Sequence, residues 1–351
     1  MIEYAIDVGY HDVEVIPMSV KNAMVIYAWF VEVINFIIYV IMIQVILKYS
    51  TREIGAYKWY IIGSQTFCVL TFMVKAFIED EPLFPYDVTV LGGLAGLFPN
   101  NNFVVRLFYA LFHVFFVSHF SCVTLMFIFR YAQTTGKQKM VQFMSNRKFL
   151  FCGCIPCMVF LMAFTYIDAL FSIPNIEMYI DKFGNSNPKI AEYIKGKPLL
   201  VEVTTWYNNY ERYGPTLIGL LICAYSTYGC YNFQNKRSQS LSDRTKTLYR
   251  TLINALLIEM AVIAVAVVTP VFICQVFIGV TYRPIGTALM WRWLYLYPTF
   301  SMIFTMSYIG CYRRGFRRLI LKKIFGMEEK NGVVVVGKTS SFVPSTQSAP
   351  T

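Results

Sequence analysis

Ala23-Met-Val-Ile-Tyr-Ala-Trp-Phe-Val-Glu-Val-Ile-Asn-Phe-Ile-Ile-Tyr-Val-Ile-Met-Ile-Gln-Val-Ile-Leu47 carries one charged residue, Glu32, in an otherwise apolar run. As an α-helix this stretch would be about 38 Å long at 1.5 Å per residue, more than the ~30 Å hydrocarbon core of a bilayer. Six more stretches are long and apolar enough to span: Trp59–Ile78, Phe103–Phe129, Phe149–Phe171, Gly214–Tyr231, Leu252–Val280 and Trp291–Tyr312. The fifth is the shortest and has soft ends. The third is interrupted by Arg106, His113 and His119. The expected fold class is therefore an all-α membrane protein, a bundle of seven transmembrane helices.

Composition agrees. Hydrophobic residues make up 56% of the 351 and charged residues only 15%, against about 25% charged in a soluble domain. The formal net charge is +11, and its distribution sets the orientation. With the N-terminus outside, the inner segments hold 21 basic and 4 acidic residues, and the outer segments 7 basic and 13 acidic. That is the positive-inside pattern. The positive charge thus belongs to the cytoplasmic face, and nucleic acid is not an expected partner. Residues 1–20 contain four acids and no Lys or Arg. No signal peptide is visible there, and the first span is expected to act as its own anchor.

The expected organisation is an extracellular N-terminus at 1–22, the bundle at 23–312, an amphipathic surface helix at 313–325 and a disordered cytoplasmic tail at 326–351. In the surface helix, Phe316, Leu319, Ile320 and Ile324 recur at helical spacing. Arg313, Arg314, Arg317, Arg318 and Lys322 lie mostly on other faces, which suits the anionic inner leaflet. The nine cysteines all lie in or at the ends of apolar segments, and none is in an outer segment. An extracellular disulfide framework is not expected. Cys152, Cys154 and Cys157 read as helix packing rather than a metal site, with no His or acidic partner beside them.

Four segments narrow the class: Gly55-Ala-Tyr-Lys-Trp59; Pro82-Leu-Phe-Pro-Tyr86 followed by Leu91-Gly-Gly93; Leu241-Ser-Asp-Arg-Thr-Lys-Thr-Leu-Tyr-Arg-Thr-Leu-Ile-Asn-Ala-Leu256; and Tyr297-Pro298 through Tyr312-Arg-Arg314. Together with the architecture they resemble the nematode serpentine chemoreceptors of the Str superfamily, nearer the H and I types, a family similar to G-protein-coupled receptors. The resemblance implies a chemosensory receptor for a small molecule, coupled to a heterotrimeric G protein, in the plasma membrane of a neuron's sensory cilium. Three features depart from the wider receptor class. The usual Cys atop the third helix and its partner in the second outer loop are missing. The Asp-Arg-Tyr signature is replaced by Phe129-Arg130-Tyr131. The Asn-Pro or Asp-Pro pair of the seventh helix is replaced by Ser301-Met302.

Candidate residues follow from position. Ionisable groups inside a membrane are costly and are functional candidates by default. Lys75, Arg106, His113, Asp168 and Arg292, with Glu32, fall in the outer halves of their spans. With Trp291, Trp293, Tyr295 and Tyr297 they could line a ligand cavity. The alternatives are cations that snorkel to the outer boundary, acids that pair with them, and an aromatic interfacial belt. Arg106 and His113 are seven apart and share a helix face, whereas His119 lies on another. At the inner side, Arg130 and Tyr131 end the third span, and Arg244 and Lys246 lie in the basic stretch Lys236–Arg250. Glu259 sits in the inner half of the sixth span. These are the coupling candidates, with Arg130 alternatively an ordinary anchor. Pro270 would kink the sixth helix, as a lever or as a static bend. No nucleotide loop, zinc helix or nucleophile elbow occurs, so neither enzymatic chemistry nor a cofactor or metal is expected. A transporter or channel is the rival reading. It would account for the buried charges, but no internal repeat is evident.

Overall fold

The computed structural model describes residues 16–51, 54–79, 81–83, 88–98, 101–146, 148–149, 154–172, 188–201, 206–236, 243–265, 289 and 292–324. Pro270, Trp291, the first fifteen residues and the tail from 325 onward lie outside these, as do the side chains of Asp168, Arg244, Lys246 and Glu259.

The first two spans are α1 (Met18–Tyr49) and α2 (Tyr57–Ile78), and the third is α4 (Asn102–Thr134). Among the described residues these three are long and apolar enough to cross a membrane. A short turn, α3 (Gly93–Gly96), precedes α4, and a short inner-loop helix, α5 (Gln138–Ser145), follows it. The fourth span is α6 (Cys154–Ser172). An outer-loop helix, α7 (Pro188–Ile194), leads to the fifth and sixth spans, α8 (Trp206–Lys236) and α9 (Asp243–Ile263). The fifth predicted span therefore lies inside a helix longer than hydropathy alone marks out. The seventh predicted span is divided. A 3-10 turn at Leu294–Leu296 opens it, α10 (Tyr297–Tyr308) forms its body, and the backbone turns extended at Ile309 before α11 (Gly310–Ile324). Pro298 sits in the first turn of α10, where its missing N–H costs no helical bond.

α4 is the central post. It packs on α2, α6 and α8 and also touches α9, while α1 packs on α2, α10 and α11. The start of α4 is set by Asn101, whose side-chain oxygen accepts from the N–H groups of Phe103 and Val104 at 3.1 and 3.3 Å. On α1, Ile26, Phe30, Val33, Phe36 and Ile37 are all exposed. In water such a face would be a liability; against lipid tails it carries no penalty.

Two apolar layers fill the bundle. The outer one includes Val31, Cys68, Phe72, Val262, Tyr295 and Tyr297. The inner one includes Met42, Ile46, Ile61, Val123, Met126, Leu256 and Met302. Where the layers meet, four helices carry buried polar residues: Asn35 on α1, Ser64 with Gln65 on α2, His119 on α4 and Ser301 on α10.

The outer loops build a small sheet. β1 (Glu81–Leu83) and β2 (Val88–Val90) form an antiparallel pair in the first outer loop, and β3 (Leu199–Val201) from the second adds to β2. Gly93 closes this region at φ +49°. A Cβ there would stand 2.3 Å from the Phe77 carbonyl oxygen, so no side chain fits.

Candidate functional site

The outer ends of α2, α4 and the seventh span converge. Lys75 is buried, with its ammonium 5.6 Å from the centre of the Phe112 ring on α4. One turn below Lys75 on the same face, Phe72 packs at 5.7 Å on Tyr295. Arg292, also buried, donates to the Tyr295 hydroxyl at 3.2 Å. His113 flanks this group. Its ring lies 5.3 Å from Phe112 and 4.0 Å from Tyr109, and its Nδ1 donates to the Tyr109 carbonyl at 2.9 Å. Arg106 stands two turns farther out on α4, with its Nε buried and without a hydrogen-bond partner. Thus Lys75, His113, Arg292 and Tyr295 share one aromatic-lined region, and Arg106 lies toward its mouth. Asp168 and Trp291 belong to the part whose side chains are not described.

Glu32 does not offset these cations. One carboxyl oxygen accepts from the Asn35 amide at 3.0 Å, and the other is buried without a partner. Asn35 also donates to the Tyr295 carbonyl at 3.0 Å and accepts from Thr299 at 2.5 Å, tying α1 to the seventh span.

The polar layer is the part that residue type alone does not reveal. His119 is 2% exposed. Its Nδ1 lies 2.9 Å from the Ser64 carbonyl oxygen, which can only accept, so Nδ1 carries the proton. In the neutral ring Nε2 then accepts from the Tyr297 hydroxyl at 2.8 Å. Gln65 donates to Ser301 at 2.8 Å. These bonds join α2, α4 and α10 at mid-depth. Uncharged polar residues inside apolar spans, Asn35 and Gln65, were the available signal.

At the inner end Arg130 is 2% exposed. It donates to the Gln133 side chain at 2.5 Å, and its guanidinium carbon stands 3.6 Å from the centre of the Tyr57 ring. The Tyr131 ring packs at 5.9 Å on Tyr225 of α8, and its hydroxyl accepts from Lys137 at 3.3 Å. A Cβ on Gly229 would meet the Tyr131 ring at 2.5 Å, so glycine is what lets α8 approach α4 here. Tyr231 on α8 donates to Asn254 on α9 at 2.9 Å. A crevice opens beside this cluster, lined by Tyr57, Ile61, Leu256, Ser301, Thr305 and Tyr308.

The outer cap is held by charge. Glu81 at the start of β1 accepts from Lys21 of α1 and from the Tyr193 hydroxyl of α7, both at 2.7 Å. Burial pushes the Tyr193 phenol up, and the Glu81 bond and charge push it the same way, so it stays a donor. Lys197 lies 3.2 Å over the Tyr193 ring. Burial lowers its pKa and Lys21 lowers it further, with Glu81 partly opposing. Cys68, Cys122, Cys157, Cys223, Cys230 and Cys311 are outside any disulfide.

The family model for the serpentine type seven-transmembrane G-protein-coupled chemoreceptor Srd matches residues 24–318. No curated protein matches the chain. The match corrects one expectation, since the type is Srd rather than H or I. Of the segments that suggested those types, Gly55–Trp59 and the stretch from Tyr297 to Arg314 sit where helices meet loops, and Tyr57 and Tyr312 in them pack on neighbouring helices. Such positions report a shared architecture more than a type.

Proposed function

As the chain belongs to the Srd family of serpentine seven-transmembrane chemoreceptors, a receptor family rather than an enzyme family, we propose that it binds a small molecule in the outer half of its bundle and signals through a heterotrimeric G protein. The family match across nearly the whole bundle carries this reading. The ligand would sit among Lys75, Arg106, His113, Asp168, Trp291, Arg292 and Tyr295. The inner ends, with Arg130, Tyr131, Arg244, Lys246 and Glu259, and with Pro270 in the sixth span, would pass the change to the G protein. A ligand does this only by binding one helix arrangement more tightly than the other. The sensory cilium of a neuron is the expected location.

The test is a ligand panel read by calcium or cyclic nucleotide in cells expressing the chain. A response from wild type, strongly reduced in Arg130→Ala at equal surface density, is the expected result. Substrate-dependent flux or current in vesicles holding only this chain, with no G-protein response, would move it to the transporters.

A further inference from the structure

Gly55-Ala-Tyr-Lys-Trp59 has so far carried no function. Gly55 takes φ +54°, and the turn feeds Tyr57 into the first position of α2. Tyr57 is 2% exposed. Its ring lies under the Arg130 guanidinium at 3.6 Å and packs on Phe129 at 5.9 Å. Tyr60 packs on the same Phe129 ring at 5.8 Å and donates to the Met144 carbonyl at 2.7 Å. Tyr312, from the segment that closes the seventh span, is fully buried in the same cluster. It exchanges a hydrogen bond with Ser50 at 3.0 Å. Two of the four family-like segments therefore meet around Arg130.

We propose that Tyr57 is the positioning residue that clasps Arg130 in the resting receptor. The signature position that carries an acid in the wider class holds Phe129 here. Phe129 cannot bind the guanidinium by charge, but it supports the ring that does. A guanidinium over an aromatic face is attracted to it, and more so where water is excluded. The planar guanidinium suits this stacking in a way an ammonium would not. Arg130 must leave the ring to reach a G protein, so the stack sets how often the receptor is active without ligand. The magnitude of such contacts corresponds to roughly a two- to thirtyfold shift in that balance.

The inference rests on Arg130 acting in coupling, as proposed above. The experiment compares full-length wild type, Tyr57→Leu, Tyr57→Phe and Tyr57→Leu/Arg130→Ala. Each is read by ligand-free nucleotide exchange on a G protein that couples to wild type, at equal surface density. Tyr57→Leu should raise basal exchange within that range, Tyr57→Phe should stay near wild type, and the double variant should show no rise. A merely structural role would not give a gain that depends on Arg130 and is rescued by phenylalanine. Basal exchange unchanged in Tyr57→Leu, or raised equally in Tyr57→Phe, overturns the clasp. If Tyr57→Leu fails to reach the surface, Tyr57→Met, which fills irregular space, replaces it. Hydrogen–deuterium exchange of the purified chain needs no G protein. If no variant couples, the receptor reading falls. Faster exchange at the end of α4 in Tyr57→Leu, but not in Tyr57→Phe, would then still support the stack, and no difference would remove it.

Discussion

The two span histidines of α4 show how far a residue can be judged by type. Both interrupt the apolar run, and helical spacing places them on different faces. Spacing does not say which face meets polar neighbours. That depends on Ser64 and Tyr297, which lie 55 and 178 positions away from His119. His113 bonds within its own helix and packs on rings at the outer region. We therefore predict that His113→Ala shifts the dose–response for the cognate ligand and costs about 1 kcal/mol or less of stability. His119→Ala removes the buried bonds to the Tyr297 hydroxyl and the Ser64 carbonyl, a loss of about 1–3 kcal/mol. Thermal unfolding of the solubilised protein should separate them. Equal stability losses, or a dose–response shift confined to His119, would move the ligand region to the polar layer.

The spans were legible because hydropathy is a local property. Pairing between loops is not. β3 finds β2 across more than a hundred residues, and nothing in Leu199–Val201 alone marks it as the edge of that sheet. The surface helix is an intermediate case. Its periodicity predicts the face bearing Phe316 and Leu319, and both pack against the inner apolar layer. The partner helix was not predictable. It is α1, and contact is closest at Gly315, where a Cβ would lie 2.5 and 2.6 Å from ring carbons of Tyr49. These atoms belong to the root of the ring, so the helix itself must shift. Gly315→Ala should cost about 1–3 kcal/mol by overpacking. It should also speed tryptic cleavage at Arg313 to Arg318 in inside-out vesicles. Gly310→Ala meets nothing within 4 Å and should be neutral or mildly stabilising. Equal cleavage rates for the two variants would mean that α11 does not rest on α1.

For the molecule as a whole, the charge asymmetry predicts that a tag at Met1 labels on intact cells and a tag at Thr351 only after permeabilisation. Labelling of the C-terminal tag on intact cells would invert the orientation. With that orientation, the face exposed to the surroundings contains no thiol in any outer segment. Its cap is closed by the Glu81 carboxylate, gripping a lysine from α1 and a tyrosine from α7. The cap can therefore form without an oxidising folding compartment, because no cross-link has to be made for it to close. Thiol-directed reductants and oxidants outside the cell find no cysteine there to attack. Closure of the cap would proceed alike in oxidising and reducing surroundings, because the groups that hold it are a carboxylate, an ammonium and a phenol.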